Sequence, residues 1–376
     1  MRRLVKRLYL IFRAIIFSFF SLFTFPMRRK GFSEKSISNI LIVGLNRIGD
    51  NIVSIPTFKA IKENLPQAKI SVLANSLVKD ILDEVSSIDK VVTYSKDTSF
   101  LQKIKLVNRL RENHFDLAID LTCDYSFVGA LWTYLSKAKY RLGYNIFGRG
   151  FLFNRPIKHS KQPIDVVDEI LNIIKGISLG TEDKKPKILP SKEAEGAIEQ
   201  FLQKKGVSDN HLLIGIHPGG YYPSQRWLPE RFVEVADRII EKYKAKIILI
   251  AGAKEERLIK EIEDKIVNKV IIFLGQPLKN LIALISRCNL LIGNNSGPLH
   301  IATALGISTV SVMGPTDPVR WWPKGDKNIV IRKDLPCSPC NRGICKEHKC
   351  MRLITAEEVM EAVSKSIKVI DENRKD

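Results

Sequence analysis

From Asn39 onward, apolar runs of strand length alternate with stretches of helical periodicity. That alternation is the signature of parallel sheets covered by helices. In the first half it predicts strands at Ile40–Gly44, Lys69–Leu73, Lys90–Thr93 and Leu117–Asp120. Amphipathic helices at Asn51–Asn64, Leu77–Val85 and Leu101–Asn113 lie between them. A polar connector follows, in which Lys184, Lys185 and Lys187 with Pro186 and Pro190 read as a linker. A second α/β block then predicts strands at Leu212–His217, Lys246–Ala251, Val270–Phe273, Leu290–Gly293 and Thr309–Met313. Its helices fall at Arg231–Lys242, Glu255–Ile266, Leu278–Ser286 and Pro298–Leu305, and a last helix at Ala356–Ile370 ends the chain. The expected organisation is a segment 1–36, an α/β domain 37–185, a second α/β domain 186–355 and a C-terminal helix 356–376. Two such sheets bind ligands beyond their C-terminal strand ends, so a cleft between the domains is the default site.

A length of 376 residues agrees with two domains, and 45% hydrophobic content with a folded chain. Charge adds something the pattern does not show. The chain carries a formal +20, and residues 1–36 hold nine Lys/Arg against one acid, Glu34. An excess of this kind seeks an anionic partner. Within the segment, Leu8–Met27 is apolar apart from Arg13 and a few hydroxyls, and Arg28-Arg29-Lys30 follows with no small-residue cleavage site. The uncharged stretch after Arg13 is 14 residues, short of the roughly 20 that cross a bilayer. On a helical projection Arg2, Lys6 and Arg13 share one face, opposite Leu8, Phe12, Ile15, Ile16, Phe19, Leu22 and Phe23. This predicts a membrane-associating helix lying in the interface on anionic lipid, with a short tilted span as the alternative. Either way the segment is expected to hold the protein on a membrane, peripheral or monotopic.

The candidate chemistry sits at strand-to-helix turns. The first strand runs into Gly49-Asp50, without a glycine-rich dinucleotide fingerprint. Asp50 reads either as a helix cap or as a carboxylate held ionised by helix N–H groups and ready to take a proton. In the second block, Pro218-Gly219-Gly220 and Ser224-Gln225-Arg226-Trp227 follow a strand. Glycine there lets a ligand approach the backbone, and Arg226 offers a planar fork for phosphate. Next, Gly293-Asn294-Asn295-Ser296-Gly297-Pro298-Leu299-His300 links a strand to a helix. Ser296 and Gly297 suit a cap, Pro298 suits the first helical position, and the turn suits a diphosphate. Gly314-Pro315-Thr316-Asp317-Pro318 makes a third polar, glycine-bearing loop at a strand end.

Taken in order, these motifs resemble glycosyltransferase family 9, the ADP-heptose:lipopolysaccharide heptosyltransferases. Asp116–Leu121 and Tyr140–Tyr144 support the match, which runs from about Asn39 to Val363. The resemblance implies a GT-B fold of two Rossmann-like domains, with the nucleotide-sugar donor held mainly by the C-terminal one. It implies inverting transfer of a heptose from ADP-heptose to a lipid-linked glycan acceptor, with no cofactor or metal required. It puts the catalytic base on Asp50 beside Gly49. Donor binding falls to Gly219, Ser224, Gln225, Arg226, Asn295, Ser296, Gly297, Pro298, Leu299, His300, Thr316 and Asp317. Three departures stand out. Gln225 occupies a position where the family usually has Lys, Asn295 one where it often has Asp, and Thr122–Phe127 lacks a basic residue that some members carry.

Cys337, Cys340, Cys345 and Cys350 cluster around His348, and the first pair has a two-residue gap typical of zinc ligands. The cluster reads as a structural zinc site or as free or redox-paired thiols. Cys123 and Cys288 adjoin strands and read as core residues. Other readings are a nucleotide-sugar epimerase of similar fold, or a non-catalytic protein that binds anionic lipid. No nucleic-acid motif accompanies the charge, so nucleic acid is not an expected partner.

Overall fold

The computed structural model describes residues 36–44, 47–95, 97–160 and 162–372. The membrane-associating helix expected within residues 1–36 lies outside the described residues. Among the described residues no helix is long and apolar enough to cross a membrane. The chain divides between Lys184 and Lys185 into two compact units.

The first unit is built on strands β1 (Asn39–Val43), β2 (Lys69–Asn75), β3 (Lys90–Tyr94), β4 (Leu117–Asp120), β5 (Tyr140–Asn145) and β6 (Arg155–Lys158). They form one sheet in the order β3-β2-β1-β4-β5-β6, all pairs parallel. Four of these strands are predicted by apolar runs. β5 is not, because Tyr140-Arg141-Leu142-Gly143-Tyr144-Asn145 has no unbroken apolar stretch. β6 is a short edge strand that tolerates Pro156, as only an edge can. Helices α1 (Ile48–Asn64), α2 (Phe100–Glu112), α3 (Val128–Leu135) and α4 (Val166–Lys175) cover the sheet. α1 packs with α4, and α2 with α3. Leu41, Val43, Leu73 and Val92 of the strands meet Leu110 of α2 and Trp132 of α3 in one core cluster. The predicted helix 77–85 is instead a 3-10 turn, Ser76–Val78, followed by a single α-turn, Lys79–Leu82.

The second unit repeats the plan. Its strands are β7 (Leu213–His217), β8 (Lys246–Ala251), β9 (Ile271–Leu274), β10 (Leu290–Asn294), β11 (Ser308–Val312) and β12 (Asn328–Ile331). They run in the order β12-β11-β10-β7-β8-β9 and are again all parallel. Its helices are α5 (Lys192–Lys204), α6 (Pro229–Tyr243), α7 (Glu256–Glu263), α8 (Leu278–Arg287), α9 (Gly297–Ala304) and α10 (Ala356–Glu372). α5 has a legible start that the periodicity reading passed over: Ser191 caps it by accepting from the Ala194 N–H at 3.4 Å. The sequence set α10 apart as a terminal piece. It is part of this unit, with Ala356, Val359, Met360, Val363 and Ile367 buried in the same core as Phe232 of α6 and Val310 of β11.

Each sheet has one place where the strand order reverses: between β1 and β4 in the first, and between β7 and β10 in the second. Crossovers leave in opposite directions there and open a crevice at the C-terminal strand ends, where such sheets take ligands.

Candidate active site

In the second unit, the loops after β7, β10 and β11 leave neighbouring strands around that reversal point. Asn294, the last residue of β10, is buried and ties two of them together. Its Oδ1 accepts from the Trp227 N–H at 2.9 Å. Its Nδ2 donates to the carbonyls of Pro218 at 2.8 Å and Gly219 at 2.9 Å. Trp227 is held at its other end by its indole N–H, which donates to the Ile354 carbonyl at 3.1 Å. Gln225 joins the third loop. Its Nε2 donates to Thr316 Oγ1 at 3.1 Å, while its Oε1 accepts from the Tyr222 N–H at 3.3 Å. Asn295 Nδ2 donates to the Trp321 carbonyl at 3.1 Å. Asp317 caps the turn Pro318–Trp321 by accepting from the Val319 N–H at 3.0 Å.

The turn into α9 differs from expectation in one detail. Ser296 occupies the N-cap, but its side chain makes no capping bond. Its hydroxyl donates back to the Asn294 carbonyl at 3.2 Å. Pro298, which has no N–H, sits in the first turn, and Leu299 is buried below it. His300 is also buried, against the Trp321 ring at a centroid distance of 5.5 Å. Burial lowers its pKa from about 6.5 to about 4, so the imidazole is neutral near pH 7.

Gly219 is placed otherwise than expected. A Cβ there would lie 2.0 Å from Glu255 Oε1, so a carboxylate of this chain occupies the space that the sequence reading left to a ligand. Glu255 accepts from the Gly220 N–H at 3.1 Å and the Gly252 N–H at 3.0 Å. The periodicity of the sequence marks it only as a helix start. Its spacing from Gly252 was the one available signal. Arg226 is half-buried, and its Nε donates to the Gly220 carbonyl at 3.0 Å. Ser224 is committed elsewhere, since its hydroxyl donates to the Arg342 carbonyl.

Arg342 lies in the cysteine-rich loop, which braces two of the three site loops. His348 Nε2 donates to the Ser224 carbonyl at 2.9 Å. The N–H groups of Cys340 and Asn341 donate to the Pro315 carbonyl at 3.1 and 2.8 Å, and Ser338 Oγ to the Gly314 carbonyl at 2.8 Å. A side chain at Gly314 would collide with Met351, its Cβ only 2.4 Å from the sulfur. Cys350 is buried there, and Cys337 is exposed. Burial, with the neighbouring cysteines, raises the Cys350 thiol pKa. Among the described residues no three His, Cys, Asp or Glu side chains converge to hold a metal ion. Cys288 is a core residue as expected, its thiol pushed up to about 12 by burial, whereas Cys123 is only half-buried.

In the first unit, Gly49 and Asp50 lie inside the first turn of α1. The helix begins three residues earlier than the periodicity predicted. Its cap position is Arg47, so Asp50 is not the cap. As a half-buried acid in the first turn it meets the positive end of the helix dipole. The loop after β4 is held from beneath by a fully buried ion pair, Arg149 Nη1 to Asp120 Oδ2 at 3.7 Å. Arg149 also donates to the carbonyls of Ser126 at 2.6 Å, Tyr144 at 2.9 Å and Thr122. Burial raises the Asp120 pKa, against the pull of the guanidinium. No sequence signal singled out Arg149.

Comparison with known proteins gives a family and a fold. The description Glycosyltransferase family 9 (heptosyltransferase) matches residues 103–351. Lipooligosaccharide heptosyltransferase 2 of Campylobacter jejuni subsp. jejuni is 28% identical over 328 residues, 85% of this chain and 96% of that one. Lipopolysaccharide heptosyltransferase 2 of Escherichia coli is 26% identical over 341 residues, 86% of this chain and 97% of that one. Among solved structures, a family 9 glycosyl transferase from Veillonella parvula superposes with a TM-score of 0.78 at 22% identity, covering 89% of this chain and 98% of its own. ADP-heptose LPS heptosyltransferase II of E. coli gives 0.74 at 23% identity, covering 90% and 100%. The fold is that of these GT-B heptosyltransferases, and the chain belongs to glycosyltransferase family 9, the heptosyltransferases.

Proposed function

We propose that this glycosyltransferase moves a heptose from ADP-heptose to a lipopolysaccharide-core acceptor with inversion at the anomeric carbon. The observation that carries the reading is the start of α9 at the β7/β10 reversal point. Its N-cap side chain turns away from the first-turn N–H groups, and Arg226 stands on the adjoining loop. A nucleoside diphosphate is a good leaving group once its charge is neutralised, and helix N–H groups plus a guanidinium do that without a metal. Arg226 takes the part that a Lys at position 225 has elsewhere in the family, because Ser224 already donates to Arg342. Glu255 is acceptor-only and suits the ribose hydroxyls of the donor. In the first unit, Asp50 removes the acceptor hydroxyl's proton as the oxygen attacks the anomeric carbon opposite the departing ADP. The names of the relatives, lipooligosaccharide and lipopolysaccharide heptosyltransferases, support the choice of acceptor. A membrane-linked acceptor and a nucleotide-sugar donor suit a protein at the cytoplasmic face of the inner membrane.

The test is a thermal-shift panel of ADP- and UDP-sugars, followed by product analysis with ADP-heptose and core oligosaccharide. Stabilisation by ADP-heptose and a product of inverted anomeric configuration are expected. Transfer from UDP-sugars alone, or a retained configuration, overturns the reading.

A further inference from the structure

Helix α2 makes little use of its amphipathic sequence. Of its 13 residues only Leu110 is buried, while Leu106 and Val107 pack on the core as partly buried neighbours. The first turns leave Phe100 76%, Leu101 70% and Ile104 41% exposed. Around them the helix carries Lys103, Lys105, Arg109 and Arg111 against a single acid, Glu112. Lys105 and Arg109 are exposed. Its neighbour α3 has no charged residue, yet exposes Val128, Leu131 and Tyr134, with Tyr125 just before it. The exposed lysines Lys137 and Lys139 follow. The two helices pack on one face of the first sheet, and Arg111 Nε donates to the Leu135 carbonyl at 3.0 Å. Both start at the C-terminal ends of their strands, β3 and β4. That is the edge of the sheet where α1 opens with Gly49 and Asp50.

Large apolar side chains standing in water, with the cations along α2 and after α3 outnumbering the exposed acids Asp97 and Asp124 that precede the two helices, match a surface with an apolar interior and an anionic rim. We infer that the starts of α2 and α3 form a second membrane contact, independent of residues 1–36, that docks on anionic phospholipid. Phe100, Leu101 and Ile104 enter the boundary between headgroups and acyl chains, and Lys105 and Arg109 meet lipid phosphates. The sheet edge that bears Asp50 is thereby set at the membrane surface, where a lipid-linked acceptor presents its sugar. The inference rests on the proposed function only in taking the acceptor to be lipid-linked.

The decisive experiment places a reporter in the patch of the full-length protein. Leu101→Trp is mixed with vesicles of phosphatidylglycerol brominated in the acyl chains, and the fluorescence is compared with that of the wild type. The expected result is a blue shift and quenching of the added indole, at least about threefold stronger than with brominated phosphatidylcholine, because the anionic headgroups contribute to binding. An indole that stays unquenched while the protein pellets with the vesicles overturns the inference, since residues 1–36 then bind alone. Equal quenching by both lipids overturns the anionic choice. Concentration-dependent self-association that Phe100→Ser/Leu101→Ser abolishes, without lipid and without quenching, assigns the patch to a second copy and also overturns it. In the activity arm, Phe100→Ser/Leu101→Ser keeps wild-type transfer to a soluble core oligosaccharide and loses about tenfold on vesicle-embedded acceptor. A wild type inactive on every acceptor defeats the proposed function and leaves the quenching result to decide the lipid contact.

Discussion

Asn294→Ala removes three buried hydrogen bonds at once: one accepted from Trp227 N–H and two donated to Pro218 and Gly219. Alanine leaves the Trp227 N–H and the two carbonyls without that partner inside the fold. A net bond is worth about 0.5–1.5 kcal/mol, and each buried group left without a partner costs about 1–3 kcal/mol, so with three groups affected the expected loss is roughly 3–5 kcal/mol. For a unit of this size that lowers the midpoint of thermal unfolding by roughly 10 °C. The same strand pair supplies a control at its other end, where Asn289 Oδ1 accepts a single bond from the Leu213 N–H at 2.8 Å. Asn289→Ala should cost about 1 kcal/mol and leave donor binding untouched. Calorimetric unfolding and titration with ADP-heptose measure both quantities in both variants. Donor affinity should fall about tenfold or more in Asn294→Ala, because the glycine loop and Arg226 lose their tether to the α9 turn. The reasoning fails if Asn294→Ala is no less stable than Asn289→Ala. It fails equally if stability drops and donor affinity does not, since Asn294 would then be a core bond with no bearing on the site.

Three further outcomes are expected. Asp50→Ala binds donor normally and loses roughly 10²–10⁴-fold in turnover, the range for loss of a general base, and near-wild-type turnover in steady-state assays would remove Asp50 from that role. Arg226→Ala weakens ADP binding by about tenfold, while wild-type activity persists in excess EDTA; strict dependence on added Mg²⁺ would defeat a diphosphate site made of N–H groups and one guanidinium. His300 has its pKa lowered by burial from 6.5 to about 4, so the neutral ring contributes stability that is fully present above pH 6.5 and lost as pH falls toward 4. The loss is about 3 kcal/mol, and a His300 imidazole resonance that titrates near pH 6.5, assigned by its absence in His300→Gln, would show the ring to be solvated.

The sheets were legible because parallel strands buried on both faces read as unbroken apolar runs, as in Asn39–Val43 and Lys246–Ala251. The elements that escaped are those with no long unbroken apolar run and no visible period. β5 is mostly buried, but Arg141 and Gly143 break its apolar run, and β12, Asn328–Ile331, is a partly exposed edge. α3 is too short and too apolar for its period to show. Buried polar partners left still less trace. Arg149 and Asp120 lie 29 residues apart, and nothing in either local sequence announces that a guanidinium will fold beneath the β4 loop.

The same limit explains how the motif residues divide their work. Motif matching marks a residue as needed at a site without saying what it touches. Asn294, outside the expected donor set, ties two loops together, whereas Ser224, Gln225 and Asp317, inside it, spend side-chain bonds on Arg342, Thr316 and Val319. Gln225 is the informative case. Its amide both accepts from Tyr222 N–H and donates to Thr316 Oγ1. Lysine, a donor only, could make the second bond but not the first. The glutamine therefore gains a loop-to-loop tie where the family's lysine brings a positive charge. On the proposed reading that charge comes from Arg226, the next residue, which is oriented by its Nε bond to Gly220 on the loop that Asn294 holds against the α9 turn. The cysteine-rich loop then acts as a brace, because its backbone and His348 fasten Ser224 and Pro315 from the outer side. Most of the polar motif is thus spent holding three loops in register, and the proposed phosphate recognition is left to the backbone of one helix turn and a single guanidinium.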